Sequence, residues 1–333
     1  MNHPNMSNDS FSGAPAVSVE GVSLLESLIC GFLSLIFSIF GIFVNTIVIF
    51  IIHSNANMRS PCFSLIVAHA CYCWAMAIGF GISAVHDVGV GLDLFYAVYT
   101  RLGCAILHIA TTSSTPSSAL ITVLIALERL AAIAFPVAYR GKSPHFTVVA
   151  IVSTTIMGGL FSCAAVLTAP KPWDAPVQCL NVASFFNLVT RNCFANFALC
   201  CYILALLCYL VMHGPIVRRK HALRSRSTAE SSVTAQELSQ FMDGQLRLMP
   251  VIHCMIILFT LFGVGPPLIT TIMMKAMGGE YVKRATIYLV VFKSLLPSID
   301  FCVLSLKCEE FRVSLRNVLR FGTSTNQVWP MLS

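Results

Sequence analysis

Seven stretches of apolar sequence, each long enough to cross a lipid bilayer, leave this chain few ways to fold. They run over Leu28–Ile52, Cys62–Val85, Leu102–Leu127, Phe146–Ala169, Asn192–Met212, Leu248–Met274 and Ala285–Leu306, and are called spans one to seven below. The first six contain no Asp, Glu, Lys or Arg, and the seventh holds only Lys293 and Asp300. Crossing about 30 Å of hydrocarbon at 1.5 Å per residue takes roughly 20 residues, so each run suffices as a helix. Membrane strands would instead alternate polar and apolar residues over about ten positions. The expected fold is an all-α membrane protein, a seven-transmembrane helix bundle followed by a short amphipathic helix. Composition points the same way, with 56% apolar and 11% charged residues, where a soluble domain carries roughly 25% charged. A cytosolic enzyme, a nucleic-acid reader or a disordered scaffold would need more polar surface than this.

Lysine and arginine fix the expected orientation, because short cytoplasmic loops hold the excess. With the N-terminus outside, 14 of the 21 basic residues fall on the inner side, six on the outer side, and Lys293 lies within span seven. The net charge of +7 is then a membrane-surface asymmetry, and nucleic acid is not an expected partner. This divides the chain into an extracellular segment (1–24), a membrane domain (25–306) and a cytoplasmic amphipathic helix and tail (307–333), placed in the plasma membrane. Asn5-Met6-Ser7 and Asn8-Asp9-Ser10 are acceptor patterns for glycosylation, consistent with an outside location. The first 20 residues have no basic region followed by an apolar core, so no cleavable signal peptide is expected.

Of 14 cysteines, most sit in the spans as small buried side chains. Cys104 and Cys179 face the oxidising side, where a bond between them would tie the loop between spans four and five across the bundle mouth. The nine histidines are scattered, and no metal or cofactor is expected. No nucleophile and base share a segment, so no enzymatic activity is expected.

Several short patterns add a resemblance. Glu128-Arg129-Leu130, followed by Pro136, Tyr139 and Arg140, resembles the Asp/Glu-Arg-Tyr signature of rhodopsin-like G-protein-coupled receptors. Cys104 precedes Arg129 by 25 residues, the separation that family uses between its disulfide cysteine and its arginine. Gly41-Ile-Phe-Val-Asn45 and Glu310-Phe311-Arg312 are similar to its span-one pattern and to the start of its eighth helix. The resemblance implies a heterotrimeric G protein as partner, coupled through Glu128, Arg129, Leu130, Pro136, Tyr139 and Arg140, with a receptor kinase and arrestin as further partners. A charged pair at a helix end can hold the arginine by a charge-assisted bond, or the arginine can simply reach for the interface. From Phe311, apolar residues recur at Leu315, Val318 and Leu319 while Arg312, Arg316 and Arg320 share the other side, as in a helix lying on an anionic leaflet.

Departures from the family pattern are as informative. Cys73 stands where most relatives carry a span-two aspartate, and Asp300-Phe301 replaces the Asn-Pro of span seven. Asn45, Cys73, Ser118, Pro266 and Asp300 are therefore the expected transmembrane switch. An intramembrane Asp is either functional or a protonated group bonded to Asn45 or Ser118. Span six has Phe262-Gly263-Val264-Gly265-Pro266-Pro267, which lacks the family tryptophan but keeps prolines that kink the helix. These departures most resemble the nematode serpentine chemoreceptors, the serpentine receptor class sx group, and imply a chemosensory receptor for a small molecule or peptide.

The ligand is expected in the outer half of the bundle, against His108, Thr111, Thr112, Thr115 and Lys293. The run Thr111-Thr112-Ser113-Ser114-Thr115-Pro116-Ser117-Ser118 either contacts a ligand or bonds neighbouring helices and its own backbone. Lys293 either attracts a ligand carboxylate, pairs with Asp87, Asp93 or Glu280, or snorkels outward. An opsin-like Schiff base with retinal would require a shift of register, since the family count lands on Ser294. A seven-helix transporter or channel is the other alternative, though neither internal repeats nor midplane charges on several spans are found.

Overall fold

The computed structural model describes residues 24–55, 58, 60–95, 98–136, 139, 145–167, 172, 174, 176–179, 193, 196–212, 214, 249–266, 268, 269, 272, 273 and 288–320. All seven expected spans reappear as apolar helices among them. Five are long enough to cross a bilayer, and Asn196–Met212 and Met249–Gly263 are shorter apolar helices within spans five and six. Asn5, Asn8, Arg140, Glu280 and most of the third inner loop lie outside the described residues.

Span one is the helix Leu24–Ser54. Cys30, Ser34, Ser38, Asn45, Val48 and Ile52 are buried, while Ile29, Phe32, Ile36, Ile39, Phe40 and Phe43 are exposed. Steps of three and four residues place the first set on one stripe, and the exposed stripe is what lipid covers. Span two is the helix Pro61–Gly91, begun by a Ser60 cap whose hydroxyl accepts the Phe63 N–H. Span two packs against both span one and span three, and span four packs on span three.

Span three is broken. A short helix, Arg101–Leu107, meets a second, Ile109–Ala134, at His108, whose φ of −101° and ψ of 7° depart from helical values. Just before it, strand β1 (Val98–Thr100) pairs antiparallel with β2 (Pro176–Gln178), Thr100 opposite Pro176. The Cys104–Cys179 disulfide, with a Cα–Cα distance of 5.5 Å, follows directly. Two covalent or hydrogen-bonded ties thus fasten the loop after span four to the outer end of span three.

The hydroxyl run of span three serves mainly the helices themselves. Pro116 has no N–H, which deprives the Thr112 carbonyl of its helical donor. Ser162 of span four supplies a substitute, its Oγ donating to Thr112 O at 2.8 Å. Thr112, Ser113 and Thr115 donate to the carbonyls of His108, Ile109 and Thr111 at 3.1, 2.8 and 2.7 Å. Ser117 reaches both Ser113 O and Thr154 O of span four. A Cβ at Gly158 would overlap Ser117 Oγ, and one at Gly79 would overlap Thr111 Oγ1, so both glycines permit close helix approach.

Spans six and seven are irregular near their prolines. Thr260–Val264 is one π-helical turn immediately before the buried Pro266, the arrangement expected where a proline disrupts the bond ladder. Gly263 lies against the Tyr202 ring of span five, where an added Cβ would sit 3.3 Å from its hydroxyl. Span seven tightens into a 3-10 turn at Leu296–Ser298 and continues as Ile299–Lys307. Cys308 is extended, and the amphipathic helix Glu309–Arg320 follows. Phe311 is buried there, with Leu315 and Val318 packed on the same core, whereas Leu319 is 66% exposed, available to lipid.

Two measurements check this architecture. Ser162→Ala should lower the melting temperature of the purified protein, consistent with roughly 1 kcal/mol for a buried bond lost. In a Pro116→Ala background, residue 116 regains its N–H, so the same substitution should cost clearly less. Cys104→Ser, Cys179→Ser and the double variant should show equal loss of folded protein at the cell surface; additive losses would contradict a shared bond.

Candidate functional site

At the inner end of span three the expected pair is formed. Arg129 is 1% exposed and its Nε lies 2.8 Å from Glu128 Oε2. The phenol of Tyr139 donates to the other carboxylate oxygen, Oε1, so Glu128 bridges the arginine and the start of the second inner loop. Burial first, and then the Glu128 carboxylate, raises the Tyr139 phenol well above its ordinary range. The phenol therefore stays a proton donor. Leu130 is partly buried against the core and Pro136 is buried beside this cluster in sequence. A buried guanidinium depends on the groups around it for its charge to be balanced, and the Glu128 carboxylate is one of them.

In the middle of the bundle, the expected partners of Asp300 require correction. Neither Asn45 nor Ser118 bonds it. Asn45 donates from Nδ2 to Gly41 O at 2.8 Å and to Pro297 O at 2.6 Å, joining span one to the 3-10 turn of span seven. Asp300 Oδ2 instead lies 2.6 Å from Nδ1 of His69, with both side chains at or below 1% exposure. Ser118 Oγ is 3.1 Å from the other ring nitrogen of His69, Nε2. Cys73 Sγ stands 3.8 Å from Nδ1, and Phe259 of span six presents its ring edge-on at 4.6 Å. The physical reason is reach: an imidazole on span two spans the distance between spans three and seven, which the short Asn and Ser side chains do not.

His69, Cys73 and Asp300 each offer a ligand atom within 4.8 Å of the others. Ligands about 2.0 Å from a tetrahedral zinc ion stand roughly 3.3 Å apart, so the 2.6 Å contact is a hydrogen bond with no room for an ion between. Cys104, Cys179 and His108 also cluster, but the two cysteines are bonded to each other and offer no thiolate.

The outer-half candidates do not converge on one point. His108 is buried, with Nδ1 2.9 Å from Ser83 Oγ, and that hydroxyl donates to Gly79 O. Thr112 and Thr115 spend their hydroxyl protons on their own helix and retain only acceptor capacity. Thr111 Oγ1 is buried without a hydrogen-bond partner among the described residues. Lys293 is partly exposed, and no ion pair joins it to Asp87 or Asp93 among the described residues; Asp87 instead faces His86 at 3.5 Å. Ser294, not Lys293, is fully buried, so the structure supplies no register shift that would turn the lysine inward for retinal.

His69 is the residue that inspection of the sequence passed over. The available signal was its place one turn before Cys73, combined with the need of an intramembrane Asp for a partner.

The crystal structure of squid rhodopsin matches over 97% of this chain and 94% of that chain, with a TM-score of 0.73 and 14% sequence identity. At that identity the likeness establishes the seven-helix fold alone. A sequence search of curated proteins found no match. The profile of the family described as serpentine type 7TM GPCR chemoreceptor Srsx matches residues 38–319, which disfavours the transporter, channel and opsin-like alternatives. With that match running from within span one into the amphipathic helix, the chain belongs to the Srsx serpentine chemoreceptors, a family of G-protein-coupled receptors.

Proposed function

We propose that this chemosensory receptor lies in the plasma membrane with its N-terminus outside, binds a small molecule or peptide in the outer half of the bundle, and activates a heterotrimeric G protein through Arg129. The observation that carries the coupling role is the Glu128–Arg129–Tyr139 cluster, in which a guanidinium that is 1% exposed lies against the Glu128 carboxylate. That carboxylate faces Arg129 Nε as an ion pair through Oε2 and accepts the Tyr139 phenol through Oε1. A G protein that offers Arg129 new acceptors would draw it away, and Tyr139 would keep Glu128 satisfied. Pro136 and Arg140 extend the same inner surface in sequence. Fourteen basic residues on this side support the inward assignment of the loops and the tail.

Thr111 is a ligand candidate by its place in span three; its hydroxyl, without a partner among the described residues, lies against Gly79 of span two and would have to turn from that contact to meet a ligand. His108 lies one turn above it and Lys293 across the bundle; a ligand with an acceptor oxygen or a carboxylate suits that set. No acid occupies this part of span three, so an amine ligand has no salt bridge there. Receptor kinase and arrestin act on the cytoplasmic face in this reading, where Ser225, Ser227, Thr228, Ser231, Ser232 and Thr234 stand among arginines; phosphorylation would oppose that basic charge.

Cells expressing the chain, screened against a ligand library with a direct G-protein activation readout, test the proposal. Arg129→Ala should abolish the response while surface expression persists, and an unchanged response would remove Arg129 from the coupling role. Tyr139→Phe deletes one donor to Glu128 without changing shape. Basal activation should then fall, because Glu128 grips Arg129 more tightly; a rise would reverse the assigned role of the phenol.

A further inference from the structure

We propose that His69 is a latch on the inner arm of span seven: its imidazole holds Ile299–Lys307 against spans two and three, and loss of its bond to Asp300 frees that arm to swing about the 3-10 turn before it. The latch itself rests on the geometry of the bundle. Its link to signalling rests on the receptor reading above, and the experiment below separates the two.

A pivot and a lever are both present. The 3-10 turn Leu296–Ser298 interrupts span seven, and Pro297 withholds an N–H from the ladder there. A stretch of 3-10 geometry inside a longer helix is a common place for a hinge. Asn45 of span one donates to Pro297 O at 2.6 Å, which anchors the turn itself. The arm beyond it, Ile299–Lys307, passes through the extended Cys308 into the amphipathic helix Glu309–Arg320. Rotation at the turn is therefore carried to that helix.

One directional bond holds this arm. Asp300 Oδ2 meets His69 Nδ1 at 2.6 Å, both side chains at or below 1% exposure. Among the described residues, no other side chain of Ile299–Lys307 makes a hydrogen bond or ion pair to another span. Asp300 Oδ1 and the Ser305 hydroxyl have no hydrogen-bond partner there either. Val303 and Leu304 are buried, but apolar burial is non-directional and tolerates sliding. The other side of the latch is firm. His69 Nε2 is 3.1 Å from Ser118 Oγ of span three, and Phe259 of span six stands edge-on to the ring at 4.6 Å. Spans two, three and four are tied to one another by Ser83 with His108, Tyr72 with Thr154, and Ser117 and Ser162 with carbonyls across the span three to span four contact. A hinged arm is thus joined to a braced block through a single imidazole. A serine hydroxyl donates or accepts as required, so the arrangement holds whichever ring nitrogen carries a proton. Once the bond is broken, a carboxyl group inside the bilayer needs another donor or water, which draws the freed arm away from its closed position.

The test uses the full-length protein in lipid nanodiscs, read by hydrogen–deuterium exchange of the backbone amides of Ile299–Lys307. His69→Leu and Asp300→Leu should each speed exchange there about fivefold, the population shift expected for one lost hydrogen bond, and leave span four unchanged. The double variant should be no faster than the faster single one, because both substitutions remove the same bond. Asp300→Asn keeps a group able to bond Nδ1 and should restore most of the wild-type protection. Should the leucine variants fail to fold, Ser118→Ala, which loosens only the far nitrogen, should still speed exchange of the same arm about twofold. No change in the arm, additive effects in the double variant, or equal loss of protection in Asp300→Asn and Asp300→Leu would overturn the latch. In cells, basal G-protein activation per receptor at the surface should rise about fivefold in His69→Leu; a merely structural role would lower the number of receptors at the surface and leave the output of each unchanged. Faster exchange with unchanged basal output, in a receptor that responds to a compound of the library, would overturn the part of the latch in activation. Faster exchange where neither the wild type nor any variant activates a G protein would uphold the latch and count against the receptor coupling instead.

Discussion

Inside a bilayer a backbone carbonyl or amide that loses its partner has no water to turn to, and much of this bundle can be understood as the ways in which that debt is met. Regular helix meets it for most residues. Where Pro116 breaks the ladder, Ser162 of the neighbouring span donates to the abandoned carbonyl. The 3-10 turn at Leu296–Ser298 leaves Pro297 O free for Asn45, 252 residues away in sequence. Irregular backbone and polar side chains therefore occur together, and they knit the spans at the same points. Hydroxyls that look like a ligand-binding stripe are largely committed to this internal work.

The same constraint explains what could be read from the sequence. Seven long uncharged runs have one economical solution, and the helices appear where hydropathy placed them. The inner-end pair was legible because Glu128 and Arg129 are adjacent, and Cys104 with Cys179 because both were expected on the oxidising side. Contacts that depend on how spans rotate against each other were not. Asp300 announced itself as a buried acid, but its partner lies 231 residues away on span two, and nothing in the sequence distinguishes His69 from a histidine packed among apolar neighbours. Tyr139 could be placed by pattern, yet its bond to Glu128 depends on where its backbone is set beyond the helix end, with its N–H on Phe135 O. The ligand residues were the least legible, since Thr112 and Thr115 satisfy themselves locally and a one-dimensional count cannot show which hydroxyls do so.

Membership of a chemoreceptor family sits well with a bundle whose middle is altered while its ends are kept. The inner charged pair and the outer disulfide are both formed. Between them, the acid stands on span seven as Asp300 and meets His69 of span two. The volume between spans two, three and seven is thereby filled by an imidazole.

The π-helical turn at Thr260–Val264 has a bearing on how relatives should be compared. One π turn accommodates an extra residue relative to α-helical winding, so faces assigned on opposite sides of it are offset by roughly 100°. An alignment without a gap, counted inward from Pro266, would rotate every residue of the inner half of span six by about one position around the helix. Ile256, buried here, would be paired with the position of its neighbour, the exposed Ile257, or of Met255, and positions inferred from a regular relative would be transferred one place out of step.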